Sequence, residues 1–193
     1  MNTELNILFS KRLNLGPSYA DKFQELMSTK VVKKNNFLIS EGTVCNFLGI
    51  IISGSMRSFV RNEKQEFNND FYFVNDFVSA YNSFLTRRPN ACNIQALSDT
   101  EISFLNYDQL NSLIDEDLEW MKLGKYVSDL FYIRKCERET SFLTHLATER
   151  LSIFLKNYPD IEQKVSQYHI ASYLGIKPET LSRIKIQGNI KKS

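Results

Sequence analysis

Residues 167–184, QYHIASYLGIKPETLSRI, constrain this chain more than any other stretch, because their apolar residues fit two short helices crossing at a tight turn and not one continuous helix. Ile170 and Leu174 share one face of the first helix, Ile176 plugs the turn, and Leu181 and Ile184 share one face of the second. Ala171 falls where the helices approach closest and only a small side chain fits. Gly175, four residues on, stands where the first helix must end in a left-handed conformation. Pro178 opens the second helix at the position where its missing N–H costs nothing, with the acid Glu179 in the first turn. The pattern predicts a helix-turn-helix. A helical hairpin that serves only for packing uses similar geometry and is the alternative.

The second helix separates the two readings. Lys177, Glu179, Thr180, Ser182, Arg183 and Lys185 stand clear of the apolar face, and with Gln167 on the first helix they form the expected DNA-contacting set. Arg can pair bidentately with guanine, Glu accepts from cytosine N4, and Thr and Ser bond phosphate oxygens. Charge agrees with this placement. Residues 147–193 carry 8 Lys and Arg against 4 Asp and Glu, whereas residues 1–146 carry 16 against 18, so a basic end sits on a slightly acidic body. Phosphates dock on such an end, although a merely solvated tail has the same composition.

Upstream the pattern differs. After a helical stretch at 19–27, short runs rich in Phe, Ile, Val and Tyr occupy 31–39, 47–52, 56–61, 66–74, 93–96 and 101–106. Turn signals such as Glu41-Gly42, Ser53-Gly54 and Ser98-Asp99 fall between them, which predicts a small antiparallel barrel or jelly roll with its clearest hairpin at Ser53-Gly54-Ser55. From about Gln109 the chain reads as helical. A long helix at 116–137 places Trp120, Leu123, Val127 and Leu130 on one face, expected to meet either the roll or the same helix of a second subunit. A further amphipathic helix at 142–158 stops at Pro159-Asp160.

Other chemistries find little support. No apolar run approaches a membrane span and residues 1–15 do not form a signal peptide, so the chain is expected to remain in the cytoplasm. Cys45, Cys92 and Cys136 are too widely spaced for a disulfide framework or a zinc motif and read as inert thiols. There is no Gly-rich phosphate loop, nucleophile elbow or His/Cys/carboxylate cluster, so the chain does not read as an enzyme or a metal protein.

These features resemble the Crp/Fnr family of regulators over nearly the full length. The resemblance rests on Ser40-Glu41-Gly42, Ile52-Ser53-Gly54, Asp76-Phe77-Val78, the helix from Glu116, and above all Ile176-Lys177-Pro178-Glu179-Thr180-Leu181-Ser182-Arg183. It implies an α+β chain: an N-terminal antiparallel β-roll of the cyclic-nucleotide-binding jelly-roll type (1–115), a dimerisation helix and linker (116–140), and a C-terminal helix-turn-helix domain (141–193). It also implies that Glu179 and Arg183 read bases from a recognition helix at 177–187. The expected partners are double-stranded DNA and a second copy meeting at Trp120, Leu123, Val127 and Leu130, with RNA polymerase a candidate and no membrane. The corresponding effector pocket would use Ser79, Ala80, Tyr81, Asn82, Asn90 and Ala91.

Two departures from the family pattern shape the expectations. Where members that bind cyclic AMP carry a carboxylate for the ribose and an arginine for the phosphate, this chain has Ala80 and Asn90, with Arg87 and Arg88 as substitutes only if the loop shifts. Cyclic AMP is therefore not the expected effector and no cofactor is expected. There is no N-terminal cysteine group for an iron–sulfur cluster, and His145 and His169 are the only candidate haem ligands. In addition, only residues 187–193 follow the recognition helix, so the usual β-hairpin wing is expected to be reduced or absent, with Lys191 and Lys192 supplying phosphate charge. A competing reading makes the chain a small-molecule sensor whose helix-turn-helix has lapsed into packing.

Overall fold

The structure, a computed structural model, describes residues 2–63 and 65–190. Helices α1 (Asn2–Ile7), continued by a π-helical turn over Leu8–Arg12, and α2 (Pro17–Leu26) precede eight strands: β1 (Ser28–Val32), β2 (Phe37–Ile39), β3 (Phe47–Ser53), β4 (Met56–Arg61), β5 (Glu66–Tyr72), β6 (Phe77–Val78), β7 (Asn93–Ala96) and β8 (Thr100–Asn106). A short α3 (Tyr81–Thr86) lies between β6 and β7. The strands form two antiparallel sheets of four, ordered β1-β8-β3-β6 and β2-β7-β4-β5. Their inner faces close over Leu48, Ile51, Met56, Ile94, Ile102 and Leu105, each almost wholly buried. This is the expected α+β jelly roll.

Two sequence expectations change. The run 31–39 is two strands, β1 and β2, because the chain turns between them at Asn35, which adopts φ 68°. Ser53-Gly54-Ser55 is a real turn, with Gly54 at φ 87°, but it is not a hairpin. β3 pairs with β8 and β6, while β4 pairs with β5 and β7, so Gly54 carries the chain from one sheet to the other. A Cβ on Gly54 would lie 2.5 Å from the Asp99 carbonyl and the Thr100 hydroxyl, so only glycine passes there. The hairpin is β4–β5, which is irregular between Ser58 and Phe59, where Asn69 is left without a register partner.

Helix α4 (Tyr107–Glu116) is capped by Asn106, whose side chain accepts the Gln109 N–H at 2.8 Å while Gln109 accepts the Asn106 N–H at 2.9 Å. A 3₁₀ turn (Leu118–Trp120) leads into α5 (Met121–Thr144), followed by α6 (Ala147–Asn157), α7 (Ile161–Lys164), α8 (Gln167–Leu174) and α9 (Pro178–Ile190). The expected helix at 142–158 is thus divided. Its first residues complete α5, the chain breaks at His145-Leu146, and the Glu149 carboxylate accepts the Leu146 N–H at 2.7 Å to start α6. Among the described residues, no helix is long and apolar enough to cross a membrane.

The dimer-face expectation is corrected by burial. Trp120, Leu123 and Val127 are 1%, 0% and 0% exposed inside the chain's own core. Trp120 packs against Phe9, Tyr19 and Phe23 of the N-terminal helices, with ring centroids 5.8, 5.2 and 6.4 Å away, and Leu130 is partly buried against the same core. The periodic face therefore satisfies itself within one chain, because α1 and α2 supply the aromatic partners that the reading of α5 alone did not take into account.

Candidate nucleic-acid interface and effector cavity

The helix-turn-helix forms from local choices that agree with one another. Ser166 caps α8 by accepting the His169 N–H at 3.3 Å. Gly175 ends α8 at φ 67°, and the next N–H, of Ile176, returns to the Ala171 carbonyl at 3.0 Å. Pro178 then stands at the first position of α9. Ile170, Ala171, Leu174 and Leu181 are at most 2% exposed and share a core with Leu151, Phe154 and Ile161, with Ile176 and Ile184 at its edge. The apolar pattern of residues 167–184 is this core.

The outward set divides in two. Lys177 is exposed just before α9, and Glu179, Ser182 and Arg183 are exposed on it, with Thr180 half-buried and 3.5 Å from Arg183 Nη2. Gln167 and Lys185 instead meet each other and Glu162, so Lys185 is partly neutralised by a carboxylate of its own domain. That pairing holds the Glu162 carboxyl below its usual range. α9 stays helical to Ile190, past the expected end at 187, and Lys191 and Lys192 lie outside the described residues.

The helix-turn-helix does not hang free of the roll. Asn68 of β5 donates its N–H to Ser172 Oγ at 3.0 Å, and Ser172 donates onward to the Glu66 carbonyl at 3.0 Å. Arg57, 4% exposed, pairs with Glu66 at 2.6 Å, donates to Gln95 Oε1 at 2.7 Å, and places Nη1 3.3 Å from His169 Nδ1. Since a guanidinium can only donate, His169 Nδ1 is the acceptor and its ring is neutral. Burial, with Arg57 beside it, pushes the His169 pKa down to about 4. Phe71, fully buried, leaves the roll to join the second core, its ring 5.4 Å from Tyr173 and 6.1 Å from Phe154. Sequence reasoning missed this seam. Its only signal was a strand, Glu66-Phe67-Asn68-Asn69-Asp70-Phe71-Tyr72, with too much polar and aromatic material on both faces for an outer strand.

On the roll's side, the six expected pocket residues do converge. Ser79, Ala80, Tyr81, Asn82, Asn90 and Ala91 line a cavity of about 650 Å³ between the roll and α5, together with Ser58, Asn69, Asp70, Tyr72, Phe131 and Lys135, which were not foreseen. Tyr81 stacks on Phe131 at 4.8 Å and its hydroxyl meets Ser128 Oγ at 2.7 Å, tying α3 to α5. The polar atoms of Asn90 are already committed: Nδ2 donates to the Ser40 and Thr43 carbonyls at 2.9 and 3.0 Å, and Oδ1 accepts the Cys92 N–H at 2.8 Å. Ser79 donates to the Phe47 carbonyl at 2.8 Å. Arg87 does not line the cavity. Its guanidinium donates to the Cys45 carbonyl at 2.7 Å and Asn46 Oδ1 at 3.0 Å and stacks 4.0 Å over Tyr107.

Burial raises the Asp70 carboxyl above its ordinary range against the pull of Arg134, 3.4 Å away on α5, so the cavity carries an acid with its cation on the far side. Among the described residues, no group of three His, Cys, Asp or Glu is placed to hold a metal ion.

A jelly roll with a side cavity, a 24-residue helix across it and a C-terminal helix-turn-helix define a class by architecture: a roll joined through one long helix to a helix-turn-helix module. The comparisons agree. Residues 29–117 match the profile of the cyclic nucleotide-binding domain. FixK2 from Bradyrhizobium japonicum is 16% identical with a TM-score of 0.74, the match covering 86% of each chain. A CooA variant from Carboxydothermus hydrogenoformans is 18% identical with a TM-score of 0.71, over 97% of this chain and 84% of its own. A transcriptional regulator of the Crp/Fnr family from Eubacterium rectale is 17% identical with a TM-score of 0.69, over 92% of this chain and 85% of its own. No curated protein matched by sequence. At such identities the likeness is one of fold, and the fold of this chain is that of the Crp/Fnr regulators, as its motifs implied.

Proposed function

We propose that the chain is a homodimeric, DNA-binding transcription regulator of the Crp/Fnr type and not an enzyme. The roll (1–115) senses, residues 116–140 join two subunits, and the module 141–193 reads a palindromic site. The observation that carries this reading is the two-sidedness of α9: Leu181 is 1% exposed on one face, while Glu179, Ser182 and Arg183 stand in solvent on the other. Among the described residues, the one hydrogen bond of these three side chains is from Arg183 Nη2 to Thr180 Oγ1 at 3.5 Å, one turn away on the same helix, and all three are types that read base edges and phosphates. In a two-fold dimer, two such helices enter successive major grooves about 34 Å apart.

Selection from random duplex DNA followed by footprinting tests the reading. An inverted repeat should emerge, and Arg183→Ala should lose about 1–3 kcal/mol of discrimination at one base pair per half-site. Recovery of no preferred sequence from the wild-type chain refutes it.

The cavity also supports a sensor role, since its size of about 650 Å³ is that of small-molecule sites. Among the described residues the charged groups of its wall are Asp70, Asp129 and Lys135, with no arginine, so a cyclic phosphate finds no bidentate partner among them. Cyclic AMP should leave the melting temperature unchanged, and a clear rise would reverse this assignment.

A further inference from the structure

A second cleft, separate from the roll's cavity and independent of the DNA-binding reading, opens where α5 meets α6 and α8. It encloses about 730 Å³. Its walls are largely apolar and aromatic, with Phe142, Phe154, Tyr173 and Leu174 among them; Arg134, held by Asp70 and Asp76, lines it at one side, and two further guanidinium groups enter it, those of Arg138 and Arg150. Both lie over the same ring. Arg138 is 4.5 Å and Arg150 is 4.8 Å from the centroid of Phe142.

Neither cation has a carboxylate partner among the described residues. The other buried and half-buried arginines do: Arg57 has Glu66, and Arg134 has Asp70 and Asp76. Arg138 spends Nη2 on the carbonyls of Asn68 and Tyr173, both at 3.2 Å, and its Nε is buried with no hydrogen-bond partner. Arg150 spends Nη1 on the His145 carbonyl at 2.8 Å and Nε on the Leu174 carbonyl at 3.2 Å. The acid in the lining, Glu137, is exposed and pairs with neither. Half-buried positive charge against an apolar wall, with a donor left unused, is unfavourable until an anion arrives.

We infer that this cleft is a binding site for a small amphipathic anion, a carboxylate with an apolar or aromatic body. The carboxylate lies between Arg138 and Arg150, where two guanidiniums offer charge-assisted hydrogen bonds. The body lies against Phe154, Tyr173 and Leu174. Because the walls belong to the last turns of α5 on one side and to the helix-turn-helix module on the other, an occupant touches both and favours the seating in which they adjoin.

Octanoate and its uncharged analogue octanamide, added to the full-length chain, test this inference. Octanoate should raise the melting temperature and show nuclear Overhauser contacts to the rings of Phe142 and Tyr173, whereas octanamide at equal concentration should do neither. Arg150→Gln, checked for folding by circular dichroism, should weaken octanoate about tenfold, the loss expected for one charge-assisted hydrogen bond. Equal binding of octanamide, contacts to Tyr81 and Phe131 of the roll's cavity instead, or a cleft closed by a second copy of the chain in solution would each overturn it. If Arg150→Gln does not fold, the wild-type contacts and the octanamide comparison still decide.

Discussion

Gly175 shows how much one residue can be asked to do. Its φ of 67° is left-handed, and a Cβ there would come 2.6 Å from Cε1 of Phe142, a side chain at the end of α5. Gly175→Ala should therefore cost more than the 1–2 kcal/mol of the left-handed conformation alone, and Phe142→Ala in the same chain should recover only the steric part. Chemical denaturation of the wild-type chain and these two variants measures both. His169 is the residue-scale titration. Its pKa of about 4 lies below the roughly 6.5 of an unfolded histidine, so the unfolded chain takes up the proton more readily. The stability it contributes is complete above pH 6.5 and lost as pH falls toward 4. Asp70, whose carboxyl is raised, works in the opposite direction over its own range, so the informative quantity is a difference. Wild-type chain should lose melting temperature relative to His169→Gln between pH 6.5 and 4, and parallel pH profiles would contradict the neutral, desolvated ring.

Among elements, β5 has the most unusual duty. Asp70 and Tyr72 turn to the roll's cavity, while Asn68 and Phe71 meet the helix-turn-helix, and the irregularity at Asn69 falls between Asn68 and Asp70. Ser172→Ala would leave the Asn68 N–H and the Glu66 carbonyl without their shared hydroxyl. A loss of about 1–3 kcal/mol is expected, the cost of an unsatisfied buried group. Hydrogen exchange at the Asn68 amide should rise in that variant, while amides of β3 and β8 keep their protection. α5 is the complementary element. Its apolar periodicity was plain from sequence, but which partner it served was not, because a helix face says that it must be covered and not by what.

For the whole molecule, the outstanding quantity is the subunit arrangement. With Trp120, Leu123 and Val127 buried in one chain, the dimer proposed above would pair through another face of α5. Met121 and Tyr132, 57% and 70% exposed, lie three helical turns apart and so share a face. Sedimentation equilibrium should find a dimer for the wild-type chain and a shift toward monomer for Tyr132→Glu, whose charge would be buried on pairing. Retention of the full dimer by that variant would move the interface elsewhere.

The helix-turn-helix was legible from sequence because its requirements are local: a left-handed glycine, a proline at a helix start and a small residue at a crossing are each dictated by backbone sterics within eighteen residues. Strand positions were equally legible, since alternation and turn residues are short-range. Pairing was not. Gly54 reads as a hairpin turn in any local window, and only the competition of β8 and β5 for the flanking strands sends β3 and β4 to different sheets. The roll's cavity was half visible, as Ser79–Asn82 and Asn90-Ala91 lie close in sequence while Asp70, Phe131 and Lys135 arrive from elsewhere. The seam through His169, Arg57 and Asn68 and the paired arginines over Phe142 were decided by tertiary structure alone. They join residues far apart in the chain, and the energy of a buried charge depends on neighbours that linear order does not specify.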